Sequence, residues 1–222
     1  MAKEIIMKLL NKKDLQPLFA DQPGQKPYTL KRYFHPWQKY FYLHRLKMTR
    51  RFLDKKYSRL LDIGFGSGIF IPELAEITED YHGIDIHPEV KLVEEILNSK
   101  KIKANLKKAD IYSLPYPDEY FDAIICLSVL EFIPNLERAF SEIKRVAKPE
   151  ADIIVGAPVV NPLTNFIYDR IIKYKNHRQA HQSNHQEIIK ALEEKLKIEK
   201  IVTFPSLLPL NYSFFFVLKA KK

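Results

Sequence analysis

Residues 60–70 read Leu60-Leu61-Asp62-Ile63-Gly64-Phe65-Gly66-Ser67-Gly68-Ile69-Phe70. The apolar lead-in predicts a buried parallel strand over Leu60–Ile63, and the glycines predict a turn. The apolar run after them predicts a helix over Ile69–Glu76, with Pro72 near its start. Gly64 permits a sharp turn off the strand, Gly66 lets the backbone approach a ligand, and Gly68 lets helix and strand pack closely. A helix beginning there aims free N–H groups and its positive dipole end at whatever lies over the turn. The spacing is G-x-G-x-G, with Ile69 where a dinucleotide site carries its third glycine, and an acid, Asp62, stands two positions before the first glycine. A glycine turn that merely joins strand to helix has the same look, so support must come from elsewhere in the chain.

Outward from this loop, strands alternate with helices. Tyr81–Ile86 reads as a second strand, His87-Pro88 opens a helix through Val93 and Ile96, and Ala104–Lys107 is a short third strand. Phe121–Leu127 is almost unbrokenly apolar, Leu136–Ala147 is amphipathic, and Asp152–Ala157 is a fifth strand. A helix over Gln186–Lys195 precedes strands at Ile198–Phe204 and Phe214–Leu218. Pro205 and Pro209 forbid regular strand between these two. Such alternation predicts a parallel sheet with helices on both faces. Before the loop, Ile5, Ile6, Leu9 and Leu10 suggest an amphipathic stretch, residues 22–27 a loop, and residues 28–57 aromatic, basic helices.

Two acids stand in register with the glycines. Asp85 ends the second strand, where a carboxylate can accept hydrogen bonds from both hydroxyls of a ribose. Asp110 follows the third strand, where it can accept from an adenine amine while Ile111 offers its backbone N–H and its side chain to the ring. Then comes Leu114-Pro115-Tyr116, with Asp118, Phe121 and Asp122 beyond it. Across residues 60–157 these three signatures resemble the class I S-adenosylmethionine-dependent methyltransferases, of the small-molecule, ubiquinone-biosynthesis-like type.

The resemblance implies a Rossmann-like doubly wound α/β sheet of seven strands, mostly parallel with an antiparallel last strand. It also implies a helical cap over residues 1–57 and a methyltransferase domain over 58–222. S-adenosylmethionine would be the cofactor. Asp62, Gly64, Phe65, Gly66 and Gly68 would hold its amino-acid end, Asp85 and Ile86 the ribose, and Asp110 and Ile111 the adenine. Leu127 and Ser128 would border the reacting centre. The stretch after strand five would border the acceptor pocket, which makes His177 or His181 a candidate general base, since imidazole titrates near neutrality. Tyr33, Trp37 and Tyr42 would rim the same pocket with Tyr168 and the two histidines.

Absences narrow the acceptor. The (D/N)-P-P-(Y/F) cage of amino methylation on DNA or glutamine is replaced by Leu127-Ser128-Val129-Leu130, and Cys126 lies inside an apolar strand where a thiol is inert. A small-molecule or lipid-type acceptor is expected, and duplex nucleic acid is not. His177, His181 and His185 recur every four residues, but Asn184 with Glu187 forms a capping-box start that splits them, so no metal site is expected.

With 46% hydrophobic and 28% charged residues the chain reads as globular. No apolar run is long enough to span a bilayer, and the N-terminus lacks a signal-peptide plan, so a cytoplasmic location is the expectation. The chain's net charge is +9, and much of it lies before the loop. It reads first as a solvated helix face, and second as a surface for nucleic acid, anionic lipid or an anionic substrate. Peripheral contact with a membrane is compatible with that pattern. Two competing functions share the sheet: a nicotinamide oxidoreductase, against which Ile69 argues, and a non-catalytic nucleic-acid-binding protein, which the basic segment favours.

Overall fold

The computed structural model describes residues 6–19, 30–87, 89–166 and 181–222. Seven strands form one sheet in the order β3-β2-β1-β4-β5-β7-β6. Chain contacts group the residues into two compact units, 1–110 and 111–222.

In the first unit, β1 (Tyr57–Ile63), β2 (Thr78–Asp85) and β3 (Asn105–Lys108) pair in parallel, with Asp62 beside Gly83 and Asp85 beside Lys108. Leu60, Leu61 and Ile63 are all buried, as a parallel strand covered on both faces requires. Two helices, α1 (Leu30–Tyr33) and α2 (Gln38–Arg50), precede the sheet, and α3 (Ile71–Ala75) and α4 (Val90–Ser99) follow β1 and β2.

In the second unit, β4 (Phe121–Leu127) and β5 (Ala147–Pro158) are parallel, while β7 (Phe215–Lys221) runs antiparallel between β5 and β6 (Lys197–Phe204). Helices α5 (Leu136–Val146), α6 (Pro162–Phe166) and α7 (His185–Glu193) complete it. The inward stripe of α5, from Leu136 through Ala139, Phe140 and Ile143 to Val146, is wholly buried. A mostly parallel sheet with an antiparallel last strand is the predicted fold.

Several boundaries move. Strand β1 begins at Tyr57, three residues early, because Tyr57 is buried and pairs with Thr78 despite its basic neighbours. Strand β5 begins at Ala147, immediately after α5. Helix α3 starts only at Ile71, since Gly64, Gly66 and Gly68 all take positive φ and keep the chain out of helical geometry. Residues 6–11 form neither helix nor strand: Ile6 is exposed, Leu10 is buried, and the Leu10 N–H donates to the Ile69 carbonyl at 3.2 Å. The loop expected over 22–27 lies outside the described residues.

Candidate functional site

The glycine turn is fastened from both sides by the end of β2. The Gly64 N–H donates to the Ile84 carbonyl at 2.8 Å, which extends the β1–β2 ladder into the turn. One oxygen of Asp85 accepts from the Gly66 N–H at 2.8 Å and the other from the His87 N–H at 3.1 Å. The His87 ring then returns to the same glycine, with Nε2 2.9 Å from the Gly66 carbonyl. His87 Nδ1 accepts from the Glu89 N–H at 3.0 Å, so Nδ1 carries no proton and Nε2–H is the donor to Gly66. Both polar groups of Gly66 are thus held by two side chains two residues apart.

Gly66 sits at φ +58°, and a Cβ built on it would meet nothing within 4 Å, so the space a ligand would need beside the backbone is open. Gly68, at φ +72°, serves packing: a Cβ there would lie 2.7 Å from Val93 of α4. Phe65 is buried, edge-on to His87 with centroids 5.3 Å apart. Ile86, immediately after Asp85, is 71% exposed, an apolar side chain with little covering it at the tip of β2. Asp110 is exposed, and the Ala109 N–H donates to the Asp85 carbonyl at 3.0 Å, so the two acids stand at neighbouring strand ends.

Asp62 is buried on β1 and accepts from the Tyr81 hydroxyl at 2.9 Å. Burial drives its carboxyl up to about 7; the Tyr81 hydrogen bond opposes the rise and the Asp85 charge adds to it. A carboxyl poised near neutrality beside an open glycine turn can take up a cationic group by giving off its proton.

In the second unit Ile111 is buried and Leu127 half-buried. Ser128 takes a left-handed φ of +55° at the tip of β4, where its N–H donates to the Gly156 carbonyl at 2.8 Å. A non-glycine residue held there stores backbone strain of the kind found at ligand sites. A 3-10 turn, Leu130–Phe132, follows. The Glu131 carbonyl accepts from the N–H groups of Gln182 and Ser183, and the Ser183 hydroxyl donates to the Ile133 carbonyl at 2.7 Å. This pins residues 181–183 against the turn and sets His181 edge-on to Phe132 at 5.4 Å. His185 faces elsewhere, its Nε2 3.1 Å from Asn211 Oδ1, beyond the capping-box start at Asn184. The described residues contain no cluster of three metal-binding side chains. His177 and Tyr168 lie outside the described residues.

Tyr33 and Tyr42 pack inward. They are buried against each other at 5.2 Å, and their hydroxyls accept from Arg45 and Arg32. Trp37, at the start of α2, is 39% exposed. His87 escaped sequence reading. Its one signal is its place two residues past Asp85, near enough to the strand end for its ring to fold back over the turn.

A family model for a methyltransferase domain matches residues 61–155. Over 154 residues the chain is 30% identical to an uncharacterized protein of Methanocaldococcus jannaschii, covering 69% of this chain and 70% of that protein. It is 34% identical over 98 residues to the sterol 4-C-methyltransferase of Caenorhabditis elegans, covering 43% of this chain and 29% of that one. To the phosphatidylethanolamine N-methyltransferase of Cereibacter sphaeroides it is 27% identical over 114 residues, 49% of this chain and 55% of that one. The chain thus spans about half or less of these two named enzymes. Among solved structures, a Pyrococcus horikoshii OT3 protein matches with a TM-score of 0.70 and 14% identity, over 89% of this chain and 99% of that one. A SAM-dependent methyltransferase of Methanosarcina mazei matches with a TM-score of 0.63 and 23% identity, over 79% and 96%. Those identities speak for the fold alone. The family model spans the glycine turn and the tips of β2 and β4, so residues 61–155 are a methyltransferase domain, in a fold shared with solved SAM-dependent methyltransferases.

Proposed function

We propose that the chain binds S-adenosylmethionine and transfers its methyl group to a small-molecule or lipid-type acceptor. The observation that carries this reading is the clasp on Gly66: an open glycine turn held by Asp85 and His87, with exposed Ile86 beside it. Such a turn suits the amino-acid end of the cofactor, Asp62 can meet its ammonium, and Asp85 has lone pairs left for the ribose hydroxyls. Ile86 would cover one side of the nucleoside, and Asp110 with Ile111 would meet the adenine. Phe65 backs the turn, while Leu127 and Ser128 would border the reacting centre. Residues 1–57 are read as the cap and 58–222 as the catalytic domain.

The bound cofactor supplies a sulfonium methyl. Its transfer would be an in-line displacement by an acceptor lone pair, with the C–S electrons left on sulfur and the acceptor proton passed to a base or to solvent. The protein contributes alignment and exclusion of water. His181, set beside the turn after β4, is the described side chain that could take the proton; His177 is the other candidate. A lipid-type acceptor is supported by the names of the sterol and phosphatidylethanolamine relatives and by the lack of an amine cage after β4. The test is release of S-adenosylhomocysteine against a panel of metabolites and lipid precursors. Turnover with one of them that disappears in Asp85→Ala supports the reading, and no turnover with any member counts against it.

A further inference from the structure

Residues 30–59 hold ten lysines and arginines and one acid, Asp54, so this stretch alone bears a net +9, equal to that of the whole chain. Helix α2 sorts it into two faces. At about 3.6 residues per turn, Tyr42, Leu46 and Thr49 fall on one side, and all three are buried. Tyr40, His44, Lys47 and Arg51 fall on the opposite side, in line with Trp37 at the helix start. Tyr40 is 67% exposed and Arg51 is exposed. Burial and then the charges of Arg51 and Lys47 hold the His44 imidazole below its ordinary value, so both cations lie on the His44 side. The inward cations serve the fold: Arg45 donates to Tyr33, Arg32 to Tyr42, and Arg50 to Glu73 at 2.6 Å.

We infer that the outward face of α2, from Trp37 and Tyr40 through Lys47 to Arg51, docks on an anionic lipid bilayer. Tryptophan and tyrosine seat at headgroup depth, where the ring is buried and the polar tip stays wet. Lysines and arginines beside them are drawn to anionic headgroups. The exposed Lys31, Lys55 and Lys56 extend the positive field past both helix ends. A convex helix of this kind meets a plane. Single-stranded nucleic acid would instead stack bases on open ring faces, and the Lys39 ammonium already covers one face of Tyr40, 5.3 Å from its centroid. This docking goes beyond the proposed chemistry and does not depend on which acceptor is methylated.

Trp37 is the sole tryptophan of the chain, so its emission reports this face directly. The full chain is mixed with phosphatidylcholine vesicles, with and without phosphatidylglycerol, and followed by sedimentation and fluorescence. Expected are partition and a blue shift with the anionic vesicles only, weakening as salt rises. Lys47→Gln with Arg51→Gln should lower partition about tenfold or more. Lys190→Gln, at an exposed position of α7, should leave it unchanged. No partition, equal partition to neutral vesicles, or partition without a Trp37 shift overturns the inference. Tighter binding of the chain to a single-stranded oligonucleotide than to the vesicles, with Trp37 quenched, overturns it in favour of nucleic acid.

Discussion

Asp62→Asn tests the electrostatics of the turn. The native carboxyl titrates at about 7, whereas the same group in an unfolded chain titrates at 3.8. The folded chain therefore holds the Asp62 proton more tightly than the unfolded one. Stability from this group is undiminished below about pH 4 and falls as pH rises through 7. Each tenfold difference in proton affinity is worth about 1.4 kcal/mol. Integrated between the two titrations, Asp62 costs roughly 2 kcal/mol at pH 5 and roughly 4 kcal/mol at pH 8. Asparagine escapes this cost and can still accept from the Tyr81 hydroxyl through its carbonyl oxygen. The variant should therefore gain about 2 kcal/mol on the parent between pH 5 and pH 8. Urea unfolding of both proteins at the two pH values measures this. A difference that does not change with pH would show that Asp62 is not a buried, raised carboxyl. The same proton should be released when a cation binds, so cofactor affinity in the parent should rise from pH 6 to pH 8 and lose that dependence in Asp62→Asn.

Removing the clasp should weaken the cofactor more than the fold. Asp85→Ala should cost 1.5–3 kcal/mol, roughly the worth of charged hydrogen bonds, in titration calorimetry. His87→Ala, losing the donor to the Gly66 carbonyl, should cost about 1 kcal/mol, and His87→Gln, which can still donate, should recover part of it. Gly68→Ala should destabilise the fold by about 1–3 kcal/mol in urea, because it combines a positive φ with a Cβ 2.7 Å from Val93. Wild-type stability in that variant would mean the turn relaxes freely.

The sequence was most legible where local pattern and tertiary role coincide. Strand β4 has the bounds its apolar run, broken by Asp122, predicts, because a strand buried on both faces is apolar along nearly all its length. Helix α7 starts within one residue of its prediction, because a capping box is a purely local device. Legibility failed where a distant partner decides. Tyr57 joins β1 through Thr78, a pairing hidden by the lysines before it and Arg59 after it. Residues 6–11 carry apolar residues spaced like a helix face but form no helix, and the Leu10 N–H bonds instead to Ile69. Tyr33 and Tyr42 look like pocket aromatics, yet two arginines take their hydroxyls inside. At the candidate site the glycines and Asp85 announce themselves by spacing. His87 does not, because its contact depends on a ring folding back, and the Asp62 proton depends on burial that no spacing encodes.

The central claim is that the turn at Gly64–Gly68 binds S-adenosylmethionine. Isothermal titration of the folded chain with S-adenosylmethionine and with its demethylated product tests it most directly. A Kd in the micromolar range or tighter, about 8 kcal/mol of binding free energy, is expected for at least one of the two. A folded sample that binds neither would contradict it.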